Sequence, residues 1–422
     1  MADETKKIYQ AFDPSPLKAG DTDLYVDLDE VRGSTGLVKK LAQTIKLSET
    51  TTTTQLLAGH IGSGKSTELR LLQKQLQDDG YFVVFCQILE DIDERDADFP
   101  DVLLSMMRQM ASEIKERAKI ELKPTYFQQR FEEVNELLKS KVALPDLING
   151  LFSLSSAIKS SPDTRRKIRE IFEPKTNDWL FAANEIIGKA VLELGKKGRN
   201  GLVIIVDDLD KVSVEKPGEE RPSVAERLFL ERHAQLTGFQ CHVVYTLPLP
   251  LVYSCRERDI ASLYKLDAPP VVPMTKVVGR DGKRYKKGFD KFISIIQKRL
   301  EKAKVTTSLF ENNRIRDKII TYSAGQPRQL MILIREAIIA GSVPIKEEYV
   351  ENIARKIRHS YERQLRQEHW SIIEQVRQDN RLERNAGNDA LCMELLANRA
   401  ILYYLNDDQW YGLNPLLPER DI

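Results

Sequence analysis

Two short stretches of this sequence have the residue types and spacing for phosphate chemistry. The first is Gly59-His60-Ile61-Gly62-Ser63-Gly64-Lys65-Ser66, which fits the pattern GxxxxGK[ST]. Glycines at these positions let backbone N–H groups curl toward an anion without a Cβ clash. A helix that starts here aims its positive end at the same anion. Lys65 is placed to reach β- and γ-phosphate oxygens, and the Ser66 hydroxyl to coordinate Mg²⁺. Gly59, His60, Ile61, Gly62, Ser63, Gly64, Lys65, Ser66 and Thr67 are therefore the expected binding residues for ATP, with Mg²⁺ as its companion ion.

The second stretch is Leu202-Val203-Ile204-Ile205-Val206 followed by Asp207 and Asp208. A buried parallel strand delivers carboxylates at its C-terminal end, where α/β sheets bind ligands. Asp207 is expected to hold Mg²⁺, through water, and Asp208 to orient or deprotonate an attacking water. An acidic pair after an apolar run also serves as a strand end or helix cap, and Asp210 is read as a cap or surface partner. Thr246 closes a further apolar strand, Cys241–Thr246, and either touches the γ-phosphate or its water or caps the turn before Pro248. Arg328, in Gly325-Gln326-Pro327-Arg328, either folds back on ATP from a lid or lies on the surface.

These residues need a scaffold. The β-branched run Thr50–Thr54 leading into Gln55-Leu56-Leu57-Ala58 reads as a strand. Leu69, Leu72 and Leu76 mark one face of a helix that stops near Gly80, and Tyr81–Cys86 is a fully apolar strand. Strand, glycine loop, helix and buried strand make a βαβ unit of a parallel sheet covered on both faces. Ser34 is placed to cap a helix carrying Leu37, Val38, Leu41 and Ile45, and residues 1–33 read as a polar arm. Residues 90–101 hold seven Asp and Glu but lack the Gly and terminal Glu of an EF-hand loop, so a solvated loop is expected. From about 100 to 194 the pattern is helical, with Met106, Met107 and Met110 as core. A hairpin is expected over 271–287 around Asp281-Gly282, then helices at about 288–303, 311–322 and 328–340. The last 70 or so residues read as a charged helix, a short helix near 389–398 and a hairpin around Asn406-Asp407-Asp408, whose Trp410 and Tyr411 are read as core.

With these motifs in hand, the sequence resembles the STAND and origin-recognition-like branch of AAA+-type P-loop ATPases. The resemblance rests on GHIGSGKSTEL (59–69), VIIVDDLDK (203–211), VVYT (243–246) and GQPRQL (325–330), and spans roughly residues 30–350. The Asp-Asp-Leu-Asp run is also similar to that of KAP-type NTPases, whose inserted membrane segments have no counterpart here. AAA+ relatives usually carry Asp-Glu where this chain has Asp207-Asp208. The resemblance implies an α/β P-loop core over 34–270 with a helical insertion at about 100–195, a hairpin and helical lid over 271–355, and a winged-helix-like domain over 356–422. It also implies a homo-oligomer in which a neighbour supplies an Arg, the candidates being Arg221, Arg227, Arg232, Arg256 and Arg258.

Composition narrows the function classes. The 422 residues carry 64 Lys and Arg against 63 Asp and Glu, and 41% are hydrophobic. That balance excludes a polybasic protein and a disordered one. MADETKKIYQ holds no apolar signal core and no run reaches membrane-span length, so a cytoplasmic location without a membrane partner is expected. Cys86, Cys241, Cys255 and Cys392 lie far apart and the five His show no ligand spacing, which fits a reducing compartment and no zinc site. Residues 356–422 carry nine Lys and Arg against eleven Asp and Glu, which gives DNA no basic footprint. The expected function is a slow, partner-regulated ATPase that acts as a conformational or assembly switch on a separate protein, in the style of bacterial antiphage systems. A DNA-binding AAA+ factor and a non-catalytic ATP-binding scaffold are the alternatives.

Overall fold

The computed structural model describes residues 2–18, 20–48, 51–122, 147–216, 221–385, 387–406 and 408–419. Five apolar segments form one parallel sheet: β1 (Thr54–Gly59), β2 (Phe82–Gln87), β3 (Leu202–Asp207), β4 (His242–Pro248) and β5 (Val271–Val272), in the order β2-β3-β4-β1-β5. Their side chains alternate between two buried layers, as the period of two demands. Leu56, Val84, Ile204 and Val243 face one core, and Leu57, Val83, Val203 and Val244 face the other. Covering both faces is why the strands are continuously apolar. The molecule is α/β.

The second layer is closed by helices Leu37–Leu47 and Lys65–Asp78 through Leu41, Ile45, Leu69, Leu72 and Leu76. The first is closed by helices Phe99–Glu113, Leu147–Ser160 and Thr176–Lys196, with Met106, Met107, Met110 and Trp179 inside. Helices Lys286–Lys302, Asn313–Tyr322, Pro327–Ala340 and Glu347–Gln364 enclose a separate apolar cluster. Helices Gln367–Asp379 and Asp389–Ala397 then lead into the antiparallel pair β6 (Ile401–Tyr404) and β7 (Trp410–Leu413). Among the described residues no helix is long and apolar enough to cross a membrane.

Four expectations need correction. Residues 1–33 are not a loose arm: helix Ala2–Ala11 buries Ile8, and Phe12 just beyond it is buried too, in the cluster of the later helices. Ser34 does not cap the next helix, because it sits at φ 54 and Gly36 occupies the N-cap with no side-chain bond. Residues 271–272 are the fifth sheet strand, and the turn at Asp281-Gly282 is closed by the isolated Val278–Arg284 bridge and the bond from Gly282 N–H to Gly279 O at 3.0 Å, not by a pair of hairpin strands. Residues 90–101 are not simply solvated. Asp91, Asp98 and Asp101 are buried, held by Arg108, by Arg227 and Arg232, and by Arg169. Trp410 and Tyr411 are buried as expected; Asp407 and Thr50 lie outside the described residues.

Candidate functional site

The phosphate loop joins β1 to helix Lys65–Asp78. Its sharp path is carried by Gly62 at φ 88 and Gly64 at φ 107, a region that side-chain-bearing residues rarely adopt. It opens on a cleft of about 240 Å³ at the C-terminal edge of the sheet. Ile61, Gly62, Gly64, Lys65, Ser66 and Thr67 line that cleft; Gly59, His60 and Ser63 do not. Asp207, Asp208 and Asp210 line the same cleft beside Lys65 and Ser66, and Arg328 lines it from the start of helix Pro327–Ala340. Arg328 is close to the loop, its Cβ 3.4 Å from where a Cβ on Gly62 would stand.

Lys65 is almost wholly buried, and its ammonium has three partners: Gly59 O at 2.7 Å, His60 O at 2.9 Å and Asp210 Oδ2 at 2.8 Å. Asp210 is thus a buried counter-ion rather than a surface partner or simple cap. Its backbone N–H donates to Thr246 Oγ1 at 3.2 Å, and the Thr246 hydroxyl donates to Val206 O at 3.4 Å. Thr246 is fully buried under the Asp207–Lys211 turn and does not line the cleft. Asp208 takes φ 73, and Lys211 donates to its carboxylate.

One oxygen from each of Asp207, Asp208 and Asp210 lies within 4.8 Å of the others, the one such acidic group among the described residues. Asp207 Oδ1 is buried without a hydrogen-bond partner. Burial, then the charges of Asp210 and Asp208, push its carboxyl up to about 6, while the Ser66 hydroxyl pulls it down. A hard divalent cation suits this set: oxygen donors, excess negative charge and one unsatisfied lone-pair acceptor.

His60 departs from expectation. Its ring is 2% exposed and turns away from the cleft, with Nε2 accepting the Tyr403 backbone N–H of β6 at 3.0 Å. Burial first, then the Lys65 and Arg399 charges, push its pKa down to about 3, so the imidazole is neutral.

Sequence reading missed the contribution of the N-terminal stretch. Arg32 is buried against the phosphate loop: it donates to Glu68 Oε1 at 2.8 Å, to Thr275 Oγ1 at 3.2 Å and to Ser63 O. The Tyr25 hydroxyl donates to Glu68 Oε2 at 3.3 Å, and burial pushes the Glu68 carboxyl up against the pull of Arg32. Asp13, Pro14, Leu17 and Tyr25 line the same cleft, as does Gln87 at the end of β2. A polar stretch with two prolines carries no periodic signal for this role. The apolar strand that Gln87 ends was the only pointer to its position.

Of the candidate neighbour-supplied arginines, Arg227 and Arg232 are committed internally, to Asp98 at 3.3 and 3.2 Å. Arg256 pairs with Asp259 at 3.1 Å on the surface. Arg221 and Arg258 are exposed and have no partner among the described residues.

No protein-family model matches the chain, and no curated protein matches it. Among solved structures it is similar to the ORC2 protein of Aeropyrum pernix in its ADPNP–ADP complexes, at 13% identity over 97% of this chain and 94% of that one, with a TM-score of 0.46. It is also similar to the Walker-type ATPase PABY2304 of Pyrococcus abyssi, at 13% identity over 96% and 97%, TM-score 0.43. The ORC1 protein of Aeropyrum pernix, solved in complex with DNA, matches at 14% identity over 89% and 88%, TM-score 0.37.

Proposed function

We propose that this chain binds Mg·ATP in the cleft between the phosphate loop and Arg328 and hydrolyses it slowly. One observation carries the reading: Lys65, the Asp207–Asp208–Asp210 cluster and Arg328, read separately from sequence, line a single cleft at the sheet edge. Ser66 and Asp207 would hold Mg²⁺, which offsets charge on the β- and γ-phosphates when bound. Backbone N–H groups of residues 61–67 cradle the phosphates, and Lys65 gives up one of its present partners to reach them. Asp208 exchanges Lys211 for the attacking water, as a base or an orienting acceptor.

The domain reading is retained in this proposal: a P-loop core over 34–270 with the insertion at about 100–195, a lid over 271–355 and a winged-helix-like unit over 356–422. Residues 1–33 join the lid side through Phe12 and the phosphate loop through Arg32. Nucleotide turnover resets the lid against the core, and the chain acts as a cytoplasmic switch on a separate protein partner, as in antiphage systems. A homo-oligomer would place Arg258 or Arg221, the two uncommitted arginines, against a neighbour's nucleotide. The DNA-binding alternative is favoured by one feature, the largely exposed basic run of Lys276, Arg280, Lys283, Arg284, Lys286 and Lys287 beside the lid. Four of these cations are already paired: Arg284 with Asp317, Lys287 with Glu30, Lys283 with Asp281 and Arg280 with Asp408.

The decisive experiment is Lys65→Ala. Titration with a fluorescent ATP analogue should show binding lost, while circular dichroism is unchanged. ATP affinity equal to the unsubstituted chain in Lys65→Ala would remove the nucleotide reading.

A further inference from the structure

The β6–β7 hairpin packs behind the phosphate loop, the end of β5 and the start of the Gly325–Arg328 motif. Tyr403 N–H donates to His60 Nε2 in the phosphate loop, and Tyr403 O accepts from Met274 N at 2.9 Å, just past β5. Tyr404 stacks on Trp410 at 4.2 Å and packs with Met274 and Ala324, the residue before the Gly325–Arg328 motif. On the N-terminal side, a Cβ on Gly33 would come within 2.6 Å of Leu405 O, so the hairpin end is packed against the stretch that carries Arg32.

The chain of contacts continues into the site. His60 uses its ring for the hairpin and its carbonyl for Lys65. The Lys65 ammonium has three protons, and Gly59 O, His60 O and Asp210 accept all three. None is left for a phosphate while this arrangement holds. A phosphate group recruits Lys65 only by drawing it from one of these partners, and two of them belong to the loop that the hairpin fixes.

We propose that His60 is a positioning residue that couples Lys65 to the C-terminal hairpin, so that hairpin docking opposes nucleotide binding and nucleotide binding loosens the hairpin. The inference rests on the reading of the cleft as a nucleotide site. Reciprocity follows from linkage: whatever factor docking removes from ATP affinity, ATP removes from docking. The hairpin amide of Tyr403 is the reporter on one side and ATP affinity on the other. The His60 ring needs to be an acceptor, not a charge, so an amide oxygen in its place preserves the link.

The test compares His60→Leu with His60→Gln in the full chain. Leu removes the acceptor and leaves a buried N–H unpaired, a loss worth on the order of tenfold in the local equilibrium. Hydrogen exchange of residues 401–404 is read without nucleotide, and affinity is read with a fluorescent ATP analogue. His60→Leu should exchange about tenfold faster in that segment, with strands β1–β4 still protected, and should bind the analogue several-fold more tightly. His60→Gln should match the unsubstituted chain in both. Addition of Mg·ATP to the unsubstituted chain should speed exchange in the same segment. Unchanged exchange and affinity in His60→Leu overturn the proposal. So does weaker binding by a folded His60→Leu chain, which would mean that His60 preforms the cradle. Absence of ATP binding by the unsubstituted chain overturns the nucleotide reading, and the coupling with it. Binding that leaves hairpin exchange unmoved overturns the coupling alone.

Discussion

Among the described residues, two dense groups of carboxylates are built in opposite ways. In the 90–101 segment each buried acid is saturated. Asp91 accepts from Ser105 at 2.6 Å, Gln109 at 3.0 Å and Arg108 at 2.7 Å. Asp101 accepts from Arg169 and from the Asp98 backbone N–H at 2.9 Å. Asp98 faces Arg227 and Arg232, and its side chain caps helix Phe99–Glu113. At the sheet edge, three carboxylates crowd together and Asp207 keeps an orphaned buried oxygen. The saturated group fastens the insertion helices to the core. The under-satisfied group stores an unmet demand for positive charge, which is what a site for a metal and phosphates requires.

The contrast predicts which property each group controls. Replacing Asp101, whose side chain is fully buried, by Ala removes the buried partner of Arg169 and leaves it Asp96 alone, at 2.7 Å. The loss should stay below the about 3–5 kcal/mol of a buried charge left wholly unpaired. Urea unfolding should show that loss, while the ATP affinity of the remaining folded chain stays put. A change in affinity with no change in unfolding midpoint would invert the assignment.

Asp208→Asn tests the other side. It keeps size and hydrogen bonding but removes charge and basicity. Phosphate release should slow on the order of 10²-fold with Mg·ATP binding retained. Unaltered turnover would make Asp208 a structural end of the turn and shift the water to another group, with Glu68 next in line.

The effect spread over the widest range of conditions concerns pH. His60 is neutral when folded, with a pKa of about 3 against an ordinary 6.5. Between these values the unfolded chain binds a proton that the folded chain does not, so stability rises with pH across that window and falls as pH drops through it. The contribution is at most about 1.4 kcal/mol per pH unit. His60→Gln should flatten the stability profile between pH 6.5 and the acid limit by that slope. An identical profile in both chains would mean that His60 is solvated in the folded state.

What sequence made legible was local or periodic. The phosphate loop was readable because its glycines, Lys65 and Ser66 are adjacent in the chain, and β2, β3 and β4 because two-sided burial leaves an uninterrupted apolar run. What sequence hid was long-range. Arg32 meets Ser63 and Thr275 across 31 and 243 residues, and no spacing rule connects them. His60 sits inside the motif, yet its ring serves a strand 343 residues away. The acids of 90–101 looked solvated because their arginines lie on helices far along the chain, at 169, 227 and 232.

The backbone at Asp208 sets a limit on length. At φ 73 a residue with a Cβ is strained by about 1–2 kcal/mol, and Asp and Asn are the side chains that tolerate it best, through short local hydrogen bonds. Lys211, three residues on, supplies that bond here. A glutamate at this position would lose the local tolerance and carry its carboxylate one methylene deeper into the cleft. The reversed turn therefore fits this wall of the cleft to a short acid, and the backbone rather than the length of the side chain decides how far the carboxylate reaches.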